Sequence, residues 1–200
     1  INAELDFKKP LKNYFSSEKI NHLSIENSKI NIDFKPKKIN TFIAGKYSLN
    51  KDIPLAFNLE NFVNGELLNF KLDAEYHKPI NLELINYKKP KNLIANLSLI
   101  LDKKKDNIKI KKISLNEGNN SISVEDIKLI KEKIISLKKA SVKTNKNGKK
   151  NNDFSVSFGR KILIEGSQFD GTNLPKILNK KKITTKNKIS EINNDIEINL

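Results

Sequence analysis

Apolar and polar residues alternate along most of this chain, and this period of two constrains its fold more than any other feature. Successive side chains of a β-strand point to opposite faces, so the alternation predicts strands with one apolar and one polar face. No segment between the alternating runs has the pattern of a crossover helix. We therefore expect antiparallel strands and exclude parallel βαβ units. One such run is Leu68, Phe70, Leu72, Ala74 and Tyr76.

Turn-forming residues separate these runs about every 11–15 residues, which predicts a meander of about a dozen strands, each ~10 residues long. Asn64-Gly65 and Asn147-Gly148 are the pairs that a type I′ hairpin turn favours, because both of its central residues take positive φ. The sequence therefore predicts a two-residue hairpin turn at each of these places.

The alternation changes phase at Asn27-Ser28 and again between Ile110 and Ile113. A one-residue change of phase within a strand is typical of a β-bulge, which places one extra residue on one of the two paired strands. Because bulges bend and twist strands, we expect a strongly bent sheet.

A sheet with one apolar face must cover that face, and we considered a sandwich, a closed barrel and an open groove. The predicted strands are longer than the ~5–6 residues usual in sandwiches. A membrane barrel would need aromatic girdles, whereas the chain lacks Trp and has four Tyr. We predict an all-β fold, in which a long antiparallel meander forms a curved, open, taco-like β-groove with one short helix near residues 172–181. A groove that contacts hydrocarbon and a dry core are about equally favoured by the physics.

The chain carries a formal net charge of +15, which would suit a nucleic-acid partner. Arg160 is its only arginine, although proteins that read bases rely on Arg, and those that bind single strands rely on aromatic platforms. The lysines lie mostly at polar positions of strands and in turns, so we interpret them as a solvated face. We predict no nucleic-acid partner.

The residues offer little for catalysis. There is no cysteine, and the two histidines, His22 and His77, lie on separate predicted strands, so no metal site is expected. The carboxylates alternate with apolar residues, as Glu83 does, and no glycine-rich phosphate-binding motif is present. We predict that the protein is not an enzyme and has no catalytic residues, no metal and no cofactor.

The stretch EGSQFDGTNLPKILNKKK (165–182) interrupts the alternation. We expect Gly166 to end a strand, Phe169 to turn inward and Asp170 to open a short helix. The Asp170 carboxylate would accept backbone N–H groups in an Asx turn, near the positive end of that helix. The apolar side of the helix is expected to cover part of the apolar face. It consists of Leu174, Ile177 and Leu178.

A meander followed by this corner, a polar linker and a fresh β-run resembles the AsmA-like proteins of Gram-negative bacteria, especially their YhdP-type branch and, more distantly, TamB. The motif residues are Gly166, Phe169 and Asp170. The order of elements resembles that of the family over the whole chain, whereas the motif residues that match lie only within 160–178.

The resemblance implies a bridge-like lipid transfer protein, which takes part in outer-membrane biogenesis. Such a protein is attached to the inner membrane through a region outside this segment, extends through the periplasm, and conducts phospholipids along an apolar β-groove. Phospholipid acyl chains would be its partners, and we expect a monomer. The alternative is a structural or adhesin-like β-repeat domain with a dry core and no ligand.

The chain contains no methionine, so we interpret it as a fragment of a larger protein. We predict a β-groove segment at 1–166, a loop, short helix and polar linker at 167–190, and the first strand of a following β-module at 191–200. The residues predicted to line the groove are Leu55, Phe57, Leu59, Phe70, Leu72, Leu82, Leu84, Leu97, Leu99, Phe154, Val156 and Phe158.

Overall fold

The computed structural model describes residues 1–12, 18–131, 133–176 and 195–200. Within them, thirteen strands form one large, open and mostly antiparallel sheet, and two further strands form a separate hairpin. The predicted all-β fold with an open sheet is therefore confirmed.

The strands follow one another through the sheet almost in chain order. The sheet contains β1 (Ala3–Lys12), β2 (Lys19–Lys35), β3 (Lys38–Leu49), β4 (Leu55–Asn64), β5 (Leu67–Tyr76), β8 (Ala95–Lys104), β9 (Asn107–Glu117), β10 (Asn120–Ile130), β11 (Lys133–Ser136), β12 (Lys139–Lys146), β13 (Lys149–Phe158), β14 (Ile162–Gln168) and β15 (Ile196–Asn199). The separate hairpin contains β6 (Ile80–Leu82) and β7 (Tyr87–Lys89), joined by a short 3-10 helix at Glu83–Ile85.

Strand pairing places the alternating apolar residues on one side of the sheet, which we call the apolar face. Residues that lie directly opposite each other in a pair share a face, so the pairing can be followed from strand to strand. One row of apolar residues, the apolar row, crosses eleven strands without a polar interruption. It consists of Ile30, Ile43, Leu59, Leu72, Leu99, Ile113, Val124, Ala140, Val156, Ile164 and Ile198.

The bulge predicted at Asn27-Ser28 is confirmed. The register between β2 and β3 shifts between Glu26 and Lys29, and Asn27 has a φ of 50°. Gly45 lies opposite, where a Cβ would approach the Ser28 Cα to 2.8 Å. The bulge thus brings two backbones so close together that β3 has room only for glycine.

The two predicted hairpin turns differ in outcome. Asn147 and Gly148 both have positive φ between the paired ends of β12 and β13, as a type I′ turn requires. The turn predicted at Asn64-Gly65 was wrong by one residue, because Asn64 is the last residue of β4 and pairs with Leu67 of β5. Gly65 and the following residue are therefore the central pair, and of these two only Gly65 has positive φ.

The expectation of antiparallel pairing was wrong at one place. β15 lies beside β14 in parallel, with Ile162 opposite Ile196, and so continues the same sheet. A long connection between two strands allows the chain to return and run in the same direction. We had interpreted this connection as a linker that leads to another module. That residues 191–200 begin such a module stays a prediction.

The corner after β14 also differs in detail from the prediction. β14 does not end at Gly166 but continues to Gln168. Among the described residues the helix covers only 174–176, and the rest of the predicted helix, including Ile177 and Leu178, lies outside them.

The cover over the apolar face is the β6–β7 hairpin (residues 77–94, hereafter the hairpin), which the sequence did not predict. The alternation at Ile80, Leu82 and Leu84 predicts a further strand of the meander. Instead Tyr76 pairs directly with Ala95, so β5 is followed in the sheet by β8. Residues 77–94 lie outside the sheet and pack on it. The hairpin packs its side chains on the sheet in a buried core. This core contains Tyr76, Ile80, Ile85, Tyr87, Ala95, Leu115 and Val142.

Candidate functional site

The apolar face divides into a covered end and an open end. At the covered end, Ile80 and Tyr87 of the hairpin are 1% and 2% exposed, and Ala95 beneath them is fully buried. At the open end, Ile32 and Phe34 on β2 are 64% and 72% exposed. Apolar side chains this exposed, on a face whose other end forms a core, are the feature of the fold most typical of a binding surface.

The structure places most of the predicted lining residues together on the apolar face. Leu55 and Phe57 are buried there, and Phe154 contacts Phe169 edge-to-face with 5.1 Å between ring centroids. Leu82 and Leu84 lie instead outside the large sheet. Leu82 packs from the hairpin against the core, and Leu84, on the 3-10 helix, is 54% exposed. The remaining lining residues on the sheet are Leu59, Phe70, Leu72, Leu97, Leu99, Val156 and Phe158.

Asp170 fastens the tip of the hairpin to the corner after β14. Its carboxylate accepts a hydrogen bond from Asn86 Nδ2 at 2.8 Å and another from Asn151 Nδ2 at 3.2 Å. It also accepts hydrogen bonds from the hydroxyl and the backbone N–H of Thr172. The Thr172 hydroxyl, with the amides of Asn151 and Asn86, holds the pKa of Asp170 well below its ordinary value. The expected Asx-type bond is present, together with an anchoring role that the sequence did not suggest.

Asn152, which is fully buried, continues this fastening from β13. Its Nδ2 donates to the Ile85 carbonyl at 2.7 Å and to the Thr144 hydroxyl at 2.8 Å, and its Oδ1 accepts the Asp170 N–H at 2.8 Å. The side-chain amide therefore joins the hairpin, the sheet and the corner. Asparagine is abundant throughout the chain, so nothing in the sequence singled out Asn152 for this role.

Lys89 anchors the base of the hairpin. It is 1% exposed, and its ammonium donates to three backbone carbonyls, those of His77, Lys78 and Pro90, at 2.9–3.0 Å. Three acceptors match the three N–H donors of an ammonium group. Burial lowers the pKa of Lys89 because it disfavours the charged form.

Asp52 gathers a second set of charges at the same base. Its Oδ2 lies 2.8 Å from Lys78 Nζ, 2.9 Å from His77 Nε2 and 3.3 Å from Lys91 Nζ. Despite the short distance, His77 Nε2 makes no hydrogen bond of acceptable geometry. Glu18 adds a second carboxylate 2.9 Å from Lys78 Nζ.

The interpretation of the lysines as a solvated face does not hold for Lys78 and Lys89, which are 3% and 1% exposed. Each lies in the hairpin, where non-local carbonyls or carboxylates replace water around the ammonium. A buried charge is tolerated when it is paired in this way.

The polar face carries a depression of about 520 Å³. Phe42, Phe62 and Ile100 are among its apolar lining residues. Charged residues around it are already paired, with Lys71 Nζ 3.0 Å from Glu60 Oε1 and Lys111 Nζ 2.9 Å from Asp102 Oδ2.

The described residues contain no cluster of three or more His, Cys, Asp or Glu side chains placed to hold a metal ion. Among the same residues, no helix is long and apolar enough to span a membrane. No protein-family model matches this chain, and no curated protein or solved structure shows significant similarity to it.

The Asp52 cluster predicts a loss of stability in acid. Because lysine partners hold the pKa of Asp52 below its ordinary value, the folded state binds a proton less readily than the unfolded state. The resulting stabilisation is present above the ordinary carboxylate pKa of about 4 and is lost as the pH falls towards the folded value. We expect Asp52→Asn to remove about 2 kcal/mol at pH 7 and to flatten the dependence of unfolding free energy on pH below about 5.

Urea denaturation at a series of pH values measures this slope. Asp33→Asn is the matched control, since its carboxylate is 59% exposed and lies 3.9 Å from its nearest lysine. Equal slopes for the Asp52 variant and the unsubstituted chain would show that this cluster contributes nothing to acid sensitivity.

Proposed function

We propose that the apolar face binds the hydrocarbon chains of lipids, and that the chain is one stretch of a lipid-conducting β-sheet. The observation that carries the proposal is the apolar row, which crosses eleven strands and continues into exposed side chains at the open end. A continuous aliphatic surface offers an acyl chain similar contacts on each of these strands.

The chemistry of the face supports hydrocarbon rather than a small polar ligand. A specific small-molecule pocket places a few convergent polar groups among apolar walls. The apolar row contains only aliphatic side chains. Each methylene that leaves water on such a surface contributes about 0.8 kcal/mol, so affinity would grow with acyl length and would not depend on one contact.

The wider assignment rests on the resemblance to AsmA-like, YhdP-type proteins. We propose a monomeric, periplasmic segment of a protein that is anchored to the inner membrane elsewhere and carries phospholipids towards the outer membrane. Gly166, Phe169 and Asp170, which carry the resemblance, form one corner against β13 and the hairpin tip. This use of the motif supports treating it as a structural unit of the groove.

A structural β-domain without a ligand is the second candidate, and the hairpin favours it. The covered end is a core built from the chain's own side chains, as such a domain would require. The two candidates differ in what happens at the open end, where Ile32 and Phe34 are exposed.

Uptake of a fluorescent long-chain fatty acid by the delipidated chain tests the proposal. We expect Ile32→Lys with Phe34→Lys to weaken binding about tenfold, equivalent to about 1.4 kcal/mol, because two ammonium groups then occupy the apolar face. Both side chains are already exposed, so the sheet should remain folded.

The matched control is Asn31→Lys with Asn40→Lys, which adds the same two charges at exposed positions of the opposite face. This control should bind the probe as the unsubstituted chain does. Absence of uptake by the unsubstituted chain, or equal loss in both double variants, would refute the proposal and favour the structural domain.

A further inference from the structure

The hairpin is independent of the large sheet in its backbone pairing. Within the described residues, β6 and β7 pair only with each other, while Tyr76 and Ala95 close the sheet beneath them. The hairpin could therefore leave the sheet without breaking any bond of the sheet's own ladder. What holds it in place is side-chain packing and the side-chain hydrogen bonds at its two ends.

The two ends are fastened unequally. At the base, the Lys89 ammonium is buried and fully bonded to carbonyls, and Lys78 is held by two carboxylates. At the tip, one buried bond joins Asn152 Nδ2 to the Ile85 carbonyl, whereas the bond from Asn173 Nδ2 to the Glu83 carbonyl is exposed and the bond from Asn86 Nδ2 to Asp170 is partly buried. Water can replace the two outer bonds. One neutral buried bond then holds the tip, against three bonds of the charged Lys89 ammonium at the base, so the tip is the end that opens more readily.

The surface beneath the hairpin belongs to the same apolar face as the open end. Leu97, Leu115 and Val142 continue one row of directly opposed residues that lies next to the apolar row. Ile80 and Ile85 cover part of this surface with aliphatic side chains. An acyl chain could make equivalent contacts there, because both groups present saturated carbon.

We infer that the hairpin is a displaceable plug, which closes one end of the apolar face and swings from its base at Lys78 and Lys89 when a long acyl chain takes its place. This inference rests on the proposed function and adds its regulation. Acyl chains and the hairpin compete for one surface, so a chain reaches the covered end only when the tip is released. A site whose competent state is populated at roughly 10% binds roughly tenfold more weakly than one held open.

Two opposite variants test the plug. Asn86→Gly removes the tip hydrogen bonds of that side chain and keeps its left-handed backbone, whose φ is 49°. The lock is Asn86→Cys with Asn173→Cys joined by a short bis-maleimide, which is selective because the chain has no cysteine. The control lock joins Asp106→Cys to Lys131→Cys, two residues outside the hairpin that are neighbours through a backbone hydrogen bond.

The readouts are affinity for a fluorescent long-chain fatty acid and hydrogen exchange of the backbone amides. We expect up to about tenfold tighter binding by Asn86→Gly, weaker binding by the hairpin lock, and no change with the control lock. Probe binding should also speed exchange at β6 and β7 while β4 and β5 stay protected.

Uptake that is the same with and without the hairpin lock, or binding without faster exchange at β6 and β7, would overturn the plug and leave the lipid-binding proposal standing. Failure of every form to bind the probe would instead refute the proposed function, and the plug with it.

Discussion

Replacing Lys89 by methionine is expected to lower the free energy of unfolding by about 3 kcal/mol, even though the chain carries a large excess of positive charge. Methionine has nearly the same length and removes the cost of burying a charge. It leaves three backbone carbonyls, those of His77, Lys78 and Pro90, without their donor, and the first two of these bonds are buried. Each orphaned acceptor costs about 1–3 kcal/mol, which outweighs the desolvation that is recovered.

Lys88→Met is the matched control, because Lys88 is the exposed neighbour on the same strand and its loss changes the net charge equally. We expect this variant to stay within about 0.5 kcal/mol of the unsubstituted chain. Urea denaturation of both variants measures the difference. If the two substitutions had the same effect, Lys89 would be one more solvated lysine and the anchor at the hairpin base would not exist.

Gly166→Ala is expected to destabilise the fold by about 3 kcal/mol, at the upper end for adding one carbon to a packed site. A Cβ at this position would lie 2.2 Å from the Asp153 carbonyl oxygen and 2.6 Å from the Phe154 Cα. Both neighbours are backbone atoms of β13, so a side-chain rotation cannot relieve the clash. The shift would also disturb the edge-to-face contact between Phe154 and Phe169.

Gly159→Ala makes the same chemical change where space is available, since the nearest atom to its added Cβ is 3.8 Å away. Its effect should stay within about 0.5 kcal/mol. Thermal unfolding of the two glycine variants distinguishes them. A small effect at Gly166 would mean that β13 and β14 can separate at little cost and that the corner is not a rigid unit.

The bulge at Asn27-Ser28 and the type I′ turn at Asn147-Gly148 were predictable because each depends on a few neighbouring residues. A phase change in the alternation and a pair of residues that tolerate positive φ are both local signals. The turn at Asn64-Gly65 was misplaced by one residue, because the register of the two strands and not the residue pair decides which residues are central.

The hairpin could not be predicted from the same signals. Ile80, Leu82 and Leu84 alternate as well as the neighbouring strands do, and pattern alone cannot distinguish a strand within a sheet from one that lies on it. Pro79 and Pro90, which cannot donate to a ladder, were the one available hint that this segment leaves the sheet.

The role of Asp170 was only half visible in the sequence. Its bond to the Thr172 N–H is local, and an Asx-type turn was expected there. Its bond to Asn86 joins residues 84 positions apart and became visible only in the folded chain.

The sequence by itself determined that this protein is a one-faced antiparallel meander, because a period of two fixes which side chains share a face once strands pair. Only the tertiary structure decided which end of the apolar face is covered, which lysines are buried, and that β15 returns in parallel beside β14. Those outcomes depend on pairings between residues far apart in the chain, such as Tyr76 with Ala95, and a local pattern carries no information about such pairings.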